Sequence, residues 1–460
     1  MRRASIAILV SASVVFLAAC GSSSTSSGES GGAAVAPGSS AAFVRVNTDL
    51  GSPQWQSIAA LVKLLPNAGS DLLSSLGDVA GAVGPETDAA ALSPAEVDTG
   101  KNVVGLTQPR SVAKLKTLLA KQDPALVSED VAGWQVVAAQ LATIDRFKRA
   151  RNDGVLADDG AFKDATEGLP ADALVTAYAT GEAVTAAVDR GTKTQIGPIP
   201  GIGRVSWAAA ALASAQGGFE VQARVKGDEI EPYEYTAELP AQVPAPVSLL
   251  VDAKGLNATL DEVRRSPLLT GRLGTIAKGA GPLLDGVIEL FKGEAAFYVR
   301  PLPRGPEYTL VLLTSDEEAA RNTLDGLATI AGAVAQAVPE HLTVQGVKVT
   351  KITVQKTALY YAVFDGKVVV TSAPSGIRGL ILGGPRLTGT PGWQRASAAV
   401  GLPKETAGIV YGNAATALPL LAKLTGAKAQ QPTKLPFGTG LAYASVDGSV
   451  LSVKGYVGVR

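Results

Sequence analysis

Two stretches of this chain decide its architecture: GLPADALVTAY at residues 168–178 and GLPKETAGIVY at residues 401–411. Each joins a proline-marked turn to an extended run that ends in tyrosine, which is typical of a turn leading into a β-strand. They lie 233 residues apart, and at that offset residues 133–178 align with residues 366–411 without a gap, nine of the 46 pairs being identical. Self-similarity over this distance predicts an internal duplication.

The elements around these stretches recur in the same order. Each half shows an opening strand, a helix that follows a short strand, and a closing hairpin. The corresponding residues are 43–46 and 248–251 for the strand, 109–122 and 315–336 for the helix, and 213–225 and 444–457 for the hairpin. The sequence therefore predicts two tandem homologous domains, residues 41–240 and 241–460, joined through the proline-marked stretch 240–246.

The fold class follows from the periodicities. Short apolar runs such as Ala295–Val299 and Lys367–Thr371 are typical of strands. The helix after residue 314 begins with Ser315 and Glu318 at capping-box spacing, and apolar residues then follow every three or four positions. Strands separated by turns and helices predict antiparallel sheets with helices packed on one face, which is the α+β class.

The N-terminus has the order of a bacterial export signal. Arg2 and Arg3 precede an uncharged apolar run, Ala4–Phe16, which is too short to span a membrane, and small residues follow it. The ending Leu-Ala-Ala-Cys at residues 17–20 looks like the lipobox of bacterial lipoproteins, in which the cysteine thiol receives a diacylglycerol and cleavage occurs just before it. Residues 1–19 are therefore predicted to be a signal peptide, and Cys20 the lipidation site.

The anchor and its spacer set the expected location. Residues 20–40 are rich in serine and glycine, so we expect a disordered tether after the lipidated Cys20. Two acyl chains, one of them a palmitate-type amide, would hold the protein on the extracytoplasmic face of the cell membrane. Cys20 is the only cysteine, so the exported fold is expected to rest on apolar packing without an internal disulfide.

The paired GLP turns and tyrosines, together with the lipobox and the serine-rich tether, carry a family resemblance. The chain resembles an uncharacterised family of bacterial secreted proteins and lipoproteins, catalogued as domain of unknown function 3352, over most of its length after residue 40. The resemblance implies an extracytoplasmic two-part fold. It carries no catalytic residues to transfer to this sequence.

Composition and motifs argue against several function classes. Lysine plus arginine and aspartate plus glutamate both number 41, so nothing favours a nucleic-acid partner. His341, the only histidine, is predicted to lie in an exposed loop, and three or four Cys or His ligands for zinc are hard to assemble. Ser111 and Lys114 match a Ser-x-x-Lys pattern, but a Lys-Thr element occurs in the wrong order. We therefore predict no catalytic residue, no cofactor and no metal ligand.

A basic cluster has two interpretations. Arg146, Lys148, Arg149 and Arg151 could contact anionic headgroups, or could form the solvated face of a helix held by Ile144 and Phe147. The second interpretation is favoured, since charged runs on amphipathic helices are usually solvated.

Two classes of function remain. The first is a non-catalytic envelope lipoprotein that binds a protein partner or an apolar ligand, such as a lipid, between sheet and helices, or that has a purely structural role. The alternative is a carboxylate-dependent envelope enzyme such as a glycan hydrolase, which needs two acidic residues about 5–10 Å apart in an open cleft. The lack of a convergent catalytic set favours the first class.

The lipobox generates a direct prediction. Cys20→Ser removes the thiol that would be acylated, so the variant should leave the membrane pellet for the soluble fraction, as measured by immunoblotting after ultracentrifugation. Ser24→Ala, in the same stretch, should stay in the pellet. Full membrane retention of Cys20→Ser would contradict anchoring through this residue.

Overall fold

The chain divides into two units that differ from the predicted domains. The computed structural model describes residues 31–52, 54–57, 81–122, 124–192, 198–199, 201–265, 281–303, 305–335, 338–354, 357–417 and 437–459. One unit comprises Met1–Pro232 with Val446–Arg460, and the other Tyr233–Ser445. The expected boundaries at residues 240 and 460 therefore shift. The last strand belongs to the first unit, and the second begins before the proline-marked stretch.

Antiparallel strands form the sheet of the first unit. Their bounds are β1 (Ala42–Asn47), β2 (Glu86–Ala91), β3 (Val104–Thr107), β4 (Val127–Val131), β5 (Trp134–Ala138), β6 (Val175–Thr180), β7 (Val205–Ala215) and β8 (Gly218–Gly227), with a strand from the C-terminus, Val450–Val459. The order across the described strands is β4–β5–β3–β2–β1–β6–β7–β8 and then Val450–Val459.

Helices cover both faces of this sheet, not one face as predicted. They are α1 (Pro94–Thr99), α2 (Val112–Ala120), α3 (Leu141–Arg151), α4 (Gly160–Thr166) and α5 (Gly181–Thr192). On β1, Phe43 packs with Ile144 and Phe147 of α3. The preceding residue, Ala42, packs with Ala183 of α5. Because neighbouring residues of a strand point to opposite faces, α3 and α5 lie on opposite sides. The apolar residues on both faces require this double cover.

The second unit is also an antiparallel sheet with helices on both faces. Its elements are β9 (Tyr235–Thr236), β10 (Leu249–Lys254), α6 (Asn257–Arg265), α7 (Gly281–Leu290), β11 (Glu294–Leu302), β12 (Gly305–Leu313), α8 (Glu317–Ala335), β13 (Glu340–Val344), β14 (Val347–Val354), β15 (Thr357–Phe364), β16 (Lys367–Thr371), α9 (Pro374–Ile381), α10 (Pro391–Val400), β17 (Glu405–Thr406), β18 (Gly408–Asn413) and β19 (Phe437–Asp447). The strand that follows, Val450–Val459, is β20.

Seven strands of each unit follow one order. It is β4–β5–β3–β2–β1–β6–β7 in the first unit and β15–β16–β12–β11–β10–β18–β19 in the second, where β13 and β14 add a hairpin beyond β15. On one face of β12, Leu312 packs with Leu324 of α8, and on the other Thr309 lies beside Gly376 of α9. The predicted α+β class with antiparallel sheets is confirmed.

Aligned residues of the two GLP stretches adopt matching local structure. Gly168 and Gly401 both have positive φ, 72° and 64°, which glycine adopts without strain. Tyr178 stacks edge-on against Phe162 at 5.2 Å between ring centroids, and Tyr411 contacts Trp393 at 5.4 Å. The two ring pairs have different offsets in sequence, because α10 is three residues longer than α4.

The second half of the predicted tether is ordered. Residues 31–40 include a 3-10 turn at Gly32–Ala34, and Val35 and Ala36 are buried. The N–H of Leu156 donates to the carbonyl of Ala36, and that of Gly38 to the carbonyl of Gly154. Composition predicted disorder because glycine, alanine and serine offer little to bury. Backbone hydrogen bonds to residues 154–156 hold the segment instead.

Local details of several predicted helices also differ. α8 is capped by Asp316, whose Oδ1 accepts the N–H of Ala319 at 2.9 Å, and not by the expected pair Ser315 and Glu318. The helix holding the basic cluster, α3, is anchored as predicted, since Ile144 and Phe147 are both fully buried. Among the described helices, none is long and apolar enough to cross a membrane.

The C-terminal strand completes the sheet of the first unit. β20 pairs antiparallel with β8 over nine residues, from Val450 opposite Lys226 to Gly458 opposite Gly218. Lys454 and Glu220 add an ion pair at 3.3 Å. This long ladder explains why the last fifteen residues belong with the first unit although they are more than 200 residues distant in sequence.

Removal of β20 tests this pairing. A chain that ends at Asp447 leaves the backbone N–H and C=O groups of β8 without these partners, so we expect a Tm lower by several degrees and greater aggregation, measured by calorimetry and light scattering. Lys454→Ala removes only a partly exposed ion pair and should change stability by no more than about 1 kcal/mol. An unchanged Tm for the truncated chain would show that the ladder is dispensable.

Candidate functional site

An apolar cavity of about 420 Å³ lies in the first unit, between one face of the sheet and helices α1 and α5. Its volume falls in the range of roughly 300–1,000 Å³ that is usual for small-molecule sites. Its lining residues are Ala42, Val44, Ala89, Ala91, Val97, Val103, Ala177, Tyr178, Ala179, Ala183, Val184, Ala187, Val188, Ala208, Ala209, Ala210, Ala223 and Val225. Alanine and valine therefore supply all of this lining except Tyr178.

Strand and helix periodicities place these residues together. Alternate positions of five neighbouring strands point to one face of the sheet, and each strand contributes small residues there, such as Ala177 and Ala179 of β6. On α5, Ala183, Val184 and Ala187 recur at helical spacing and face the sheet. Small side chains on both walls leave space that larger residues would fill.

The only aromatic ring of the lining belongs to the opposite face. Tyr178 packs against Phe162 and lies in the core cluster around Phe147. Burial raises the pKa of its hydroxyl to about 12. Tyr178 thus adds neither a ring face nor an ionisable group to the cavity at neutral pH. What the cavity offers is contact with methyl groups.

A polar groove of about 480 Å³ lies in the second unit, between α8 and the hairpin β13–β14. Tyr361 donates a hydrogen bond to Asp325 at 2.7 Å, and Thr350 lies 3.3 Å from Nδ1 of His341. Arg321 donates to the carbonyl of Val363 at 3.2 Å. Asp325 is the only acid among the described residues that line this groove, so the two carboxyls of a glycan hydrolase are not brought together there.

The residues that the sequence singled out are dispersed. Cys20, the signal peptide 1–19 and tether residues up to 30 lie outside the described residues. His341 lies in strand β13 rather than in the expected loop, and it is exposed as expected. Ser111, from the Ser-x-x-Lys match, caps α2 by accepting the N–H of Lys114.

The basic cluster on α3 is partly neutralised within the first unit. Arg146 pairs with Glu96, and Lys148 pairs with Glu129. Glu96 is buried, and it also accepts the N–H of Leu92 at 2.8 Å. These pairs favour a structural role for the cluster over contact with headgroups.

Sequence reasoning missed a buried acid pair in the second unit. Asp252 on β10 and Glu294 on β11 are 1% and 3% exposed. The Tyr235 hydroxyl donates to Asp252, and Glu294 accepts the N–H groups of Glu238, at 2.9 and 3.0 Å, and Leu239, at 2.7 Å. The pair thus holds the segment that leads into β10. It does not line the polar groove.

Burial governs the protonation of this pair. Desolvation raises the pKa of Asp252 to about 8, and it also raises the pKa of Glu294. The backbone N–H groups on Glu294 favour its charged form, so Asp252 is the acid that retains a proton at neutral pH. Such a pair has no cleft through which a substrate could reach it among the described residues, and its role is structural.

The first unit has a related arrangement beneath its ordered N-terminal segment. Oε1 of Glu86 on β2 accepts the N–H of Gly32 at 3.1 Å, as Glu294 accepts N–H groups near its own 3-10 turn. Asp88 is 2% exposed, and burial together with nearby Glu86 raises its pKa well above the usual value. No three residues of the His, Cys, Asp and Glu types in the described chain are grouped to hold a metal ion.

Comparisons with known proteins add little. No family model matches the chain, and no curated protein matches it. Among solved structures, it is similar to crystal form III of TP0453 at 12% identity and a TM-score of 0.28, covering 47% of this chain and 93% of that one. For crystal form IV the values are 13%, 0.27, 49% and 94%, and for form I they are 12%, 0.26, 49% and 95%. TM-scores this low support no statement about function.

The buried acid pair predicts a pH dependence of stability. Asp252 ionises near pH 3.9 when unfolded and near 8 when folded, so the folded state binds the extra proton between these values, and stability falls as pH rises through that window. The slope is at most about 1.4 kcal/mol per pH unit. Asp252→Asn should flatten the profile from pH 5 to 8, measured by urea unfolding.

The matched control is Asp153→Asn, at an exposed position. Its pH profile should remain parallel to that of the wild type. If the Asp252→Asn profile is parallel as well, the buried pair does not hold the proton.

Proposed function

We propose that this protein is a non-catalytic, membrane-anchored lipoprotein of the cell envelope that holds an apolar ligand, a lipid, in the cavity of its first unit. The observation that carries the proposal is the cavity of about 420 Å³ walled by alanine and valine. Apolar walls without hydrogen-bonding side chains suit a hydrocarbon ligand, because polar groups buried there would lose their partners in water.

The energetics support such a ligand. Each methylene transferred from water contributes roughly 0.8 kcal/mol, so ten buried methylenes would contribute about 8 kcal/mol before the entropy of ordering is subtracted. The surplus is enough for binding in the micromolar range or tighter. A cavity already present in the fold avoids the cost of opening one.

The predicted anchor fits this role. Lipidation at Cys20 would keep the cavity close to a source of lipid on the extracytoplasmic face of the membrane. The ordered fold begins at Gly31, so the stretch between anchor and fold is about half as long as the tether that composition predicted. A protein partner in the envelope that supplies or receives the ligand belongs to the same proposal.

We also propose that the two units arose by duplication, as in the family that the sequence resembles. Support comes from the shared order of seven strands, the positive φ of Gly168 and Gly401, and the ring pairs of Tyr178 and Tyr411. The hydrogen bond from Leu156 to Ala36 has a counterpart from Leu387 to Val243. The apolar cavity lies in the first unit, and the hairpin β13–β14 with its groove lies in the second.

Filling the cavity tests the binding proposal. Ala187→Leu on α5 places a larger side chain in the cavity, so it should reduce binding of palmitate by tenfold or more, measured by isothermal titration calorimetry on delipidated protein. Ala186→Leu, one residue away and outside the lining, is the matched control and should bind normally. Equal palmitate binding by wild type and Ala187→Leu would place the ligand elsewhere, and no binding by the wild type would overturn the proposal.

A further inference from the structure

The wall of the apolar cavity is selective by chemistry. Its lining contains no charged residue, and its one hydroxyl belongs to Tyr178, whose ring packs on the opposite face against Phe162. A ligand group that needs hydrogen bonds is therefore not served inside the cavity. A flat ring system finds no aromatic face on which to stack.

The wall is also selective by shape. Floor and roof are both built from the smallest apolar side chains: Ala177, Ala208 and Ala210 on the sheet, and Ala183 and Ala187 on the helix. The space between a helix and a sheet is then an extended gap about one side chain deep, because it replaces the side chains that normally fill this layer. Such a gap accommodates a slender, flexible ligand better than a broad, rigid one.

We propose that the cavity takes one unbranched acyl chain, with the polar head of the lipid left outside. This inference rests on the proposed function and narrows its ligand to single-chain amphiphiles or one chain of a larger lipid. Methylene groups match walls of methyl groups, and a linear chain can bend to follow the gap. Methyl branches or fused rings would widen the ligand where Ala208 and Ala210 meet α5.

The test uses three probes that share a carboxylate head. Palmitate is a linear chain, phytanate has the same main chain with four methyl branches, and cholesteryl hemisuccinate carries a fused ring system. Titration calorimetry on delipidated full-length protein should give palmitate at least tenfold tighter binding than either of the others. If phytanate or cholesteryl hemisuccinate binds as tightly as palmitate, the shape inference is overturned while the proposed function stands. If no probe binds, the proposed function itself fails.

Cavity variants locate the chain. Ala210→Val and Ala210→Leu shorten the gap in two steps, so palmitate affinity should fall progressively and the preferred fatty acid should become shorter, decanoate binding better than palmitate for Ala210→Leu. Ala186→Leu is the control and should keep the wild-type preference. Circular dichroism and Tm establish that each variant is folded, and Ala210→Val covers the case in which Ala210→Leu is not. An unchanged chain-length preference in a folded variant would overturn the assignment of the chain to this cavity.

Discussion

The pairing of β20 with β8 is the constraint on which the organisation of the chain depends. Nine consecutive residue pairs join a strand at the C-terminus to one that ends at Gly227. Without a disulfide, this ladder and the apolar clusters hold the first unit together. Contacts between residues so distant in sequence require the whole chain before the sheet is complete, which slows folding and makes the unfinished sheet prone to association.

Local patterns in the sequence predicted most of the strands and helices. The strand Lys367–Thr371 and the helices near 109–122 and 315–336 have short-range signals, namely alternation, apolar spacing and capping residues. The start of α8 is one residue off because Asp316 competes with Ser315 for the cap. Features set by long-range contacts were not predictable, such as the order of residues 31–40 and the place of β20.

The candidate site shows the same division. Its alanines were visible as composition, but composition does not say which face of a strand a residue occupies or what covers that face. A cavity is defined by side chains that are small on two elements at once, here β7 and α5, which are distant in the local pattern. The acids Asp252 and Glu294 are 42 residues apart in sequence, and only the pairing of β10 with β11 brings them together. Similarity to the other half offers a partial signal, since Glu86 and Glu294 hold corresponding turns.

The ordered segment before β1 also has a mechanical consequence. Any tension applied through the N-terminus, as by drag on a protein held at its lipid, would load the contact between Gly32 and Glu86 and the backbone bonds to residues 154–156. These bonds lie ahead of β1, the middle strand of its sheet. They would yield first and re-form when the load is released, so the sheet and the cavity behind it would be spared from the pull.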